Sequence, residues 1–435
     1  MDITGASGGE PERERRSEPR TWVRKSCESS EIPSRPAKVD RELSKMHLTS
    51  EEEKILKGEQ GETRRRAMEL LVALGDLDDA ERLVPITSAQ LSGASYKTIS
   101  DAGLEFLEEF SADAKVSVRS TLNPIGMDRD DWKEMGVPER FARPQNKILD
   151  AYRKMDVELT CTCTPYFIGN RPNPGEDIAW AESSAVVFAN SVLGAHTNKE
   201  GGPSALAAAI IGKTPFSGLH IPENRKPKVA IKVGFQLTSD DYTLLGHAIG
   251  KKIEQEVPLI TGVDPSEDDH KALGAAMAAS GAASMYLSRA DHKACGEFDT
   301  IEEKITISED DLDASREKLN TSRDNPDLVA IGCPHLSVRE MVDIASFLKS
   351  RSPSRRCRAW FCVSRDVAKR CPEEVRILRK FGQVACDTCM VVAPLEEFSK
   401  TTATDSAKAG TYLPTLCKQK VVFAARRDLL RMVSK

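Results

Sequence analysis

The chain has 435 residues, 40% hydrophobic, 30% charged and only 5% aromatic, with a formal net charge of -5. That length allows two or three domains with a sizeable core. The charge balance argues against a nucleic-acid binder, and no apolar run reaches the roughly 18 residues that a membrane span needs.

Residues 1–45 are rich in Arg, Glu, Ser and Pro and lack apolar periodicity. Such a composition cannot bury enough surface to fold, so it reads as a disordered extension without the apolar core of a secretory signal. Met46 is read as the functional start, with Thr49 and Glu52 forming the capping box of a first helix. Helical spacing then runs from Glu51 to Leu74, broken near Gly58 and Gly61 and stopping at Gly75. Val84-Pro85-Ile86 reads as a short strand. The stretch Ser88 to Lys97 is small and polar and reads as a turn before a helix from Asp101 to Phe110. Free N–H groups on such small residues also suit an anion. Ser120 to Pro124 reads as a strand end offering the Asn123 side chain, or as a turn.

Val157 to Thr160 reads as a strand running into Cys161-Thr162-Cys163-Thr164-Pro165-Tyr166. Trp180-Ala181-Glu182-Ser183-Ser184 opens a predicted helix through Val192, where carboxylate and hydroxyls serve either as caps or as site groups. Thr197 to Ser204 is Gly-rich with one Lys but matches no phosphate-binding Walker pattern, and it leads into a helix from Ala205 to Ile211. A strand follows over Lys228 to Val233, then helices over Tyr242 to Ile253 and Lys271 to Ser280, the second rich in small residues and therefore tightly packed. Beyond residue 325 strands and helices alternate: Leu328 to Ile331, Val338 to Leu348, Ala359 to Val363, Val367 to Lys380, and Val384-Ala385. This rhythm predicts a parallel, doubly wound α/β sheet. Arg351 to Arg358 reads as a solvated turn, and Thr404 to Lys408 as a loop pairing a hydroxyl with a cation.

Eleven cysteines, an odd number, argue for reduced thiols in a cytoplasmic setting rather than a disulfide framework. The Cys161-Thr162-Cys163 stretch, Cys333 and Cys389 each stand where a strand gives way to a loop, the place where open α/β sheets bind ligands. Three such thiols suit three irons of a cubane cluster with the fourth left open. A zinc site built from Cys161, Cys163, Cys386 and Cys389 has acceptable spacing too, and isolated cysteines are common core residues.

The stretches TCTCTPY, AWAESSAVVFANSVLGA, TNKEGGPSALAAAI, IGCPH, CDTCMVV and DSAKAGTYLP, in this order, resemble the large subunit of the aconitase X family from about Met46 onward. The resemblance implies aconitase-like catalytic domains with parallel doubly wound sheets and no swivelling domain, over 46–325 and 326–435. It implies an iron–sulfur cluster, [4Fe-4S], on Cys163, Cys333 and Cys389, with Cys163 preferred to Cys161 because relatives with one cysteine keep the one before the small-Pro-Tyr element. It implies substrate contacts from Gly93, Ala94, Ser95, Asn123, Pro124, Glu182, Ser183 and Lys408, with Glu182 and Ser183 catalytic. The doubled-cysteine form is similar to the archaeal two-subunit branch. That branch implies a hydro-lyase that turns (R)-5-phosphomevalonate into trans-anhydromevalonate 5-phosphate, and a small swivelling-domain subunit that carries the catalytic serine. The alternatives are a hydro-lyase for cis-3-hydroxy-L-proline or another hydroxy acid, and a non-enzymatic metal scaffold. His196 and Lys199 depart from the family, which commonly has arginines there; this puts anion affinity at those positions in question.

Overall fold

The structure, a computed structural model, describes residues 46–253, 255–290 and 300–435. The segment read as an N-terminal extension lies outside the described residues. Fourteen strands are described: β1 (Leu83–Pro85), β2 (Ser88–Leu91), β3 (Arg119–Leu122), β4 (Ala179–Trp180), β5 (Lys213–Pro215), β6 (Val229–Val233), β7 (Pro258–Thr261), β8 (Leu287–Arg289), β9 (Glu303–Ile307), β10 (Leu328–Leu336), β11 (Arg358–Val363), β12 (Gln383–Cys386), β13 (Thr401–Thr404) and β14 (Lys420–Phe423). They form a parallel sheet of order β3-β2-β4, a parallel sheet of order β8-β7-β6-β9, a parallel sheet of order β12-β11-β10-β13-β14, and an antiparallel pair, β1 with β5.

The parallel pattern expected from the alternating elements is present, and helices bury the sheet faces as βαβ crossovers require. The helix Val338–Leu348 joins β10 to β11, and Ala407–Leu416 joins β13 to β14. In the middle sheet the helices Asp241–Lys252 and Glu267–Gly281 lie against each other. A Cβ on Gly281 would fall 1.9 Å from the carbonyl oxygen of Gly250, so this contact exists only because both positions lack a side chain. The small-residue composition read from the sequence thus reports a close helix pair.

Thr49 and Glu52 do form the capping box of the first helix, Ser50–Leu56. The next helix, Glu62–Leu77, runs past Gly75 instead of stopping there. Several boundaries also differ from the sequence reading. Ser88–Leu91, read as a turn, is the fully buried central strand of its sheet, because Gln90 finds buried partners for its amide. Val157 to Thr160, read as a strand, makes a single bridge from Glu158 to Thr121. The Thr160 hydroxyl takes over the backbone of Leu122 on both sides, at 3.0 Å each, and so replaces further ladder bonds. The helix read from Trp180 to Val192 divides into β4, a helix Ser183–Phe188 and one wide turn over Ala189–Leu193. Val367 to Lys380 splits at Cys371-Pro372, since Pro372 cannot donate to the turn before it and starts a new helix instead.

Candidate active site

Two of the parallel sheets turn their C-terminal strand edges toward each other. In the three-stranded sheet Gly93-Ala94-Ser95 follows β2, Asn123-Pro124 follows β3 and Glu182-Ser183 follows β4. In the five-stranded sheet Cys333 lies in the outgoing half of β10, Cys389 follows β12, and Lys408 stands on the first turn after β13. Strand order reverses between β10 and β13, and such a switch point opens a ligand crevice. The edges are stitched together by a bridge between Ile125 and Thr388. Ile125 N–H donates to the Asp387 carbonyl at 2.8 Å, and Cys389 N–H donates to the Ile125 carbonyl at 3.0 Å.

At the centre Lys408 forms an ion pair with Glu182, both nearly buried. Glu182 caps its helix and accepts from the Ser184 hydroxyl at 2.8 Å and from the Asn123 amide at 2.9 Å. Asn123 is held in turn by Gln90 at 2.7 Å, and Gln90 also reaches the Thr162 carbonyl at 2.8 Å. Burial works to neutralise both charges, but each outweighs it for the other. Glu182 titrates below the usual carboxylate range, and Lys408 is held above the usual lysine range. The pair is therefore ionised, with a cation and a fixed amide donor facing the crevice.

The loop after β2 supplies a different feature. The helix Glu139–Lys154 ties down its carbonyls: Gln145 donates to Ala94 at 2.7 Å, and Tyr152 donates to Ser92 at 3.1 Å. The N–H groups of Gly93, Ala94 and Ser95 meet no acceptor among the described residues. Consecutive free N–H groups before a helix make a cradle for an anion. The half-buried Ser183 hydroxyl likewise has no partner among the described residues.

Cys163 is buried, and Cys333 and Cys389 are partly so. Burial pushes all three thiols up, and the Lys408 ammonium pulls all three back; Cys389 in turn raises Cys163 and Cys333. They are thus neighbours around one cation. The Cys163 sulfur also accepts a hydrogen bond from His335 N–H at 3.3 Å. A sulfur that accepts is arranged for the thiolate form that metals bind. No group of three His, Cys, Asp or Glu side chains among the described residues converges on one metal ion. A cluster held by one cysteine per iron does not need such convergence, and thiols are its ordinary ligands. Cys161, by contrast, is fully buried with φ of 46°, and its charged neighbours are Asp387, Arg129 and Arg365.

Backbone geometry shapes the loops around these thiols. Gly332, with φ of 102°, brings its Cα so near β11 that a Cβ would sit 2.2 Å from the Cys362 carbonyl oxygen. Asp387 is fully buried with φ of 60° and holds Arg129 at 3.0 Å and Arg365 at 3.1 Å. His335 bridges the halves: Thr162 lies 3.0 Å from its Nδ1, and its Nε2 donates to the Thr388 carbonyl at 2.8 Å. Burial holds that imidazole neutral, its pKa lowered to about 4. None of Gln90, Asp387 or His335 stood out in the sequence. The available signal was a lone polar residue inside an apolar strand, and in His335 its place beside Cys333-Pro334.

Of the two departures from the family's arginines, His196 lies away from Glu182, while Lys199 pairs with Trp180, two residues before that glutamate. His196 faces Asp177 at 3.7 Å and Lys199 points to the Ala282 carbonyl at 3.4 Å. Asp177 enters β4, at the end of the sheet away from Glu182. A groove of about 1010 Å³ lies away from the thiols. It opens at the N-terminal edge of the five-stranded sheet, lined by Arg355, Arg358, Lys380 and Lys400. Beside Cys333 lies a cavity of about 40 Å³, bordered by Lys271, Glu340 and Arg426, which is room for a few waters.

Paired parallel α/β sheets with thiols, a buried ion pair and an anion cradle at their facing edges define an α/β protein of the aconitase-like kind. The comparisons narrow this further. The first domain of aconitase X matches residues 45–223, its second domain 227–317 and its third domain 326–435. The chain belongs to the aconitase X family. It is 49% identical over 403 residues to the phosphomevalonate dehydratase large subunit of Methanocaldococcus jannaschii, covering 89% of this chain and all of that protein. The Methanosarcina mazei protein of the same name is 45% identical, with 87% and 94% covered. The cis-3-hydroxy-L-proline dehydratase of Pseudomonas aeruginosa is 32% identical, over 90% of this chain and 71% of that protein. The crystal structure of Thermococcus kodakaraensis aconitase X in its holo-form superposes with a TM-score of 0.81 at 42% identity, covering 89% of this chain and all of that one.

Proposed function

We propose that this chain is the large catalytic subunit of a phosphomevalonate dehydratase, a hydro-lyase that converts (R)-5-phosphomevalonate into trans-anhydromevalonate 5-phosphate in a modified mevalonate route to isoprenoids. One observation carries the reading: an ionised Glu182–Lys408 pair, a free anion cradle and three thiols that feel the Lys408 charge share one crevice. The substrate follows from the relatives, since those named for phosphomevalonate are more similar than those named for hydroxyproline.

Cys163, Cys333 and Cys389 would hold the iron–sulfur cluster, [4Fe-4S], which when bound supplies a Lewis acid for the departing hydroxyl. The chain's own groups bind and orient. A substrate of this kind carries two anions, a carboxylate and a phosphate. The free N–H groups of Gly93, Ala94 and Ser95, with Asn123 and Pro124 beside them, suit one anion, and Lys408 suits the other. Glu182 keeps Lys408 charged and fixes its position, while the free Ser183 hydroxyl donates to the bound substrate. Dehydration breaks the C–H bond next to the carboxylate and the C–O bond beyond it, forms the alkene, and releases one water. The base for that proton is a serine on a small swivelling-domain subunit, which makes the active enzyme a heterodimer.

An anaerobic dehydration assay followed by NMR tests this, using the chain co-expressed with its candidate small subunit. Water loss from (R)-5-phosphomevalonate alone, abolished by Cys333→Ala, is the expected result. Turnover of cis-3-hydroxy-L-proline instead would overturn the substrate and keep the chemistry.

A further inference from the structure

Lys408 stands in the first turn of the helix Ala407–Leu416, so the contacts that fix the start of that helix also fix where its ammonium sits. Two of them are local caps. The Ser406 hydroxyl accepts from Ala409 N–H at 3.1 Å, and the Thr243 hydroxyl accepts from Ala407 N–H at 2.9 Å. The third is ionic. Asp405, between β13 and the capping Ser406, accepts from Arg426 Nε at 2.6 Å. Arg426 opens the last helix, Arg426–Met432, and its Nη1 donates to Glu340 at 2.9 Å. One guanidinium fork thus spans two carboxylates that are each about nine-tenths buried.

Glu340 is anchored in turn. Its second oxygen accepts from Ser337 N–H at 2.9 Å and pairs with Lys271, which is 3% exposed. Lys271 lies 3.2 Å from Asp268 and donates to the His335 carbonyl at 3.3 Å. The row Asp268–Lys271–Glu340–Arg426–Asp405 therefore starts in the second family domain, crosses the third, and ends three residues before Lys408. Among the described residues no hydrogen bond joins it to Glu182 or Asn123. It reaches the crevice by two routes only, the helix of Lys408 and the His335 carbonyl. Buried ion pairs are often no more stabilising than apolar side chains of the same volume, so stability alone is a poor account of this row. A fixed geometry at its end is a better one.

We infer that Arg426 is a positioning residue for substrate binding: by holding Asp405 it sets the place of the Lys408 ammonium in the crevice. The inference rests on the proposal that Lys408 binds a substrate anion. Arg426 touches no substrate itself. A displacement of about 1 Å at a binding group can cost about a hundredfold in rate, so a remote anchor of this kind has a measurable effect.

The test is a double-mutant cycle on the heterodimer, reconstituted anaerobically with iron and sulfide and assayed on (R)-5-phosphomevalonate. Arg426→Gln is expected to keep the parent's iron and sulfide while KM rises about tenfold and kcat changes less, the pattern of a lost binding interaction. Arg426→Lys keeps the charge but cannot span both carboxylates, so it should recover only part of that loss. In the Lys408→Met background Arg426→Gln should change kcat/KM less than about twofold, because the group it positions is gone. Equal losses in both backgrounds would overturn the inference, since a merely structural role weakens both alike. An unchanged KM in Arg426→Gln would overturn it too, as would an activity loss matched by lost iron, which would place the effect on the Cys333 strand. Should Arg426→Gln fail to fold, Arg426→Lys carries the same cycle, and an unchanged KM there is the refuting result. Lys408→Met with the parent's kcat/KM would instead overturn the reading of Lys408 as a substrate contact, and the single variants tell those two failures apart.

Discussion

Lys408→Met removes the cation from the centre of the site and leaves Glu182 buried with only neutral donors, the Ser184 hydroxyl at 2.8 Å and the Asn123 amide at 2.9 Å. Both side chains of the pair are nearly shielded from water, 10% and 13% exposed, so solvent cannot take over the lost interaction. Breaking a buried pair from one side costs about 3–5 kcal/mol. Glu182→Gln should cost about as much for the opposite reason, since Lys408 is then the unpaired charge. In the double variant neither charge remains, so its destabilisation should fall short of the sum of the singles by at least about 2 kcal/mol. The pH dependence provides a second sign. In the parent, Glu182 titrates below its ordinary value, so its contribution is present above about pH 4.5 and is lost as pH falls. In Lys408→Met, burial outweighs the remaining Ser184 hydrogen bonds and raises the carboxyl, so stability is lost as pH rises instead. Thermal melts from pH 4 to 8 on the two singles and the double check both expectations. Activity should drop about a thousandfold in all three, equivalent to about 4 kcal/mol of barrier. Additive losses of stability, or the same pH slope in parent and Lys408→Met, would refute the ion-pair argument.

Asp387→Asn leaves Arg129 and Arg365 without their shared buried carboxylate; it should lower stability by about 3–5 kcal/mol and cut iron retention, measured by melting and metal analysis. His247 is 3% exposed, and burial with Lys251 and Lys318 nearby lowers its pKa to about 4. Below the unfolded value near 6.5 the unfolded chain takes up a proton that the fold refuses, so stability is complete above that pH and declines toward pH 4, by up to about 3 kcal/mol. His247→Leu should flatten that part of the melting-temperature profile. His196→Arg places the family's residue against Asp177; because this lies at the far end of β4 from Glu182, KM for phosphomevalonate should change less than twofold in steady-state assays.

The parallel α/β character was legible because alternating apolar runs and helical spacings survive in any context, and the capping box at Thr49 and Glu52 is a purely local device. The strand-end settings pointed to Cys333, Cys389 and the Cys161/Cys163 stretch, yet their meeting at Lys408 was not legible, since 170 residues separate Cys163 from Cys333 and only the facing sheet edges join them. Ser88–Leu91 was misread because polarity marks a turn unless a tertiary partner satisfies it, and Gln90 gets its partners from Asn123 and Thr162. The Thr160 hydroxyl that replaces a ladder at Leu122, and the Asp387 carboxylate that pins two arginines, depend on residues distant in sequence and give no periodic signal.

The strand order β12-β11-β10-β13-β14 has a consequence for how the protein is made. β10, which carries Cys333, gains one neighbour soon after it leaves the ribosome, when β11 follows it. Its other neighbour, β13, arrives only after β12 and the Cys389 loop have been synthesised. Until then the switch point does not exist and Lys408 has not been translated. The three sulfurs therefore meet late in synthesis, well after Cys163 has emerged. On the proposed cluster assignment, delivery would have to act on a nearly finished chain, and a shortage of iron would be felt as an assembly defect after translation.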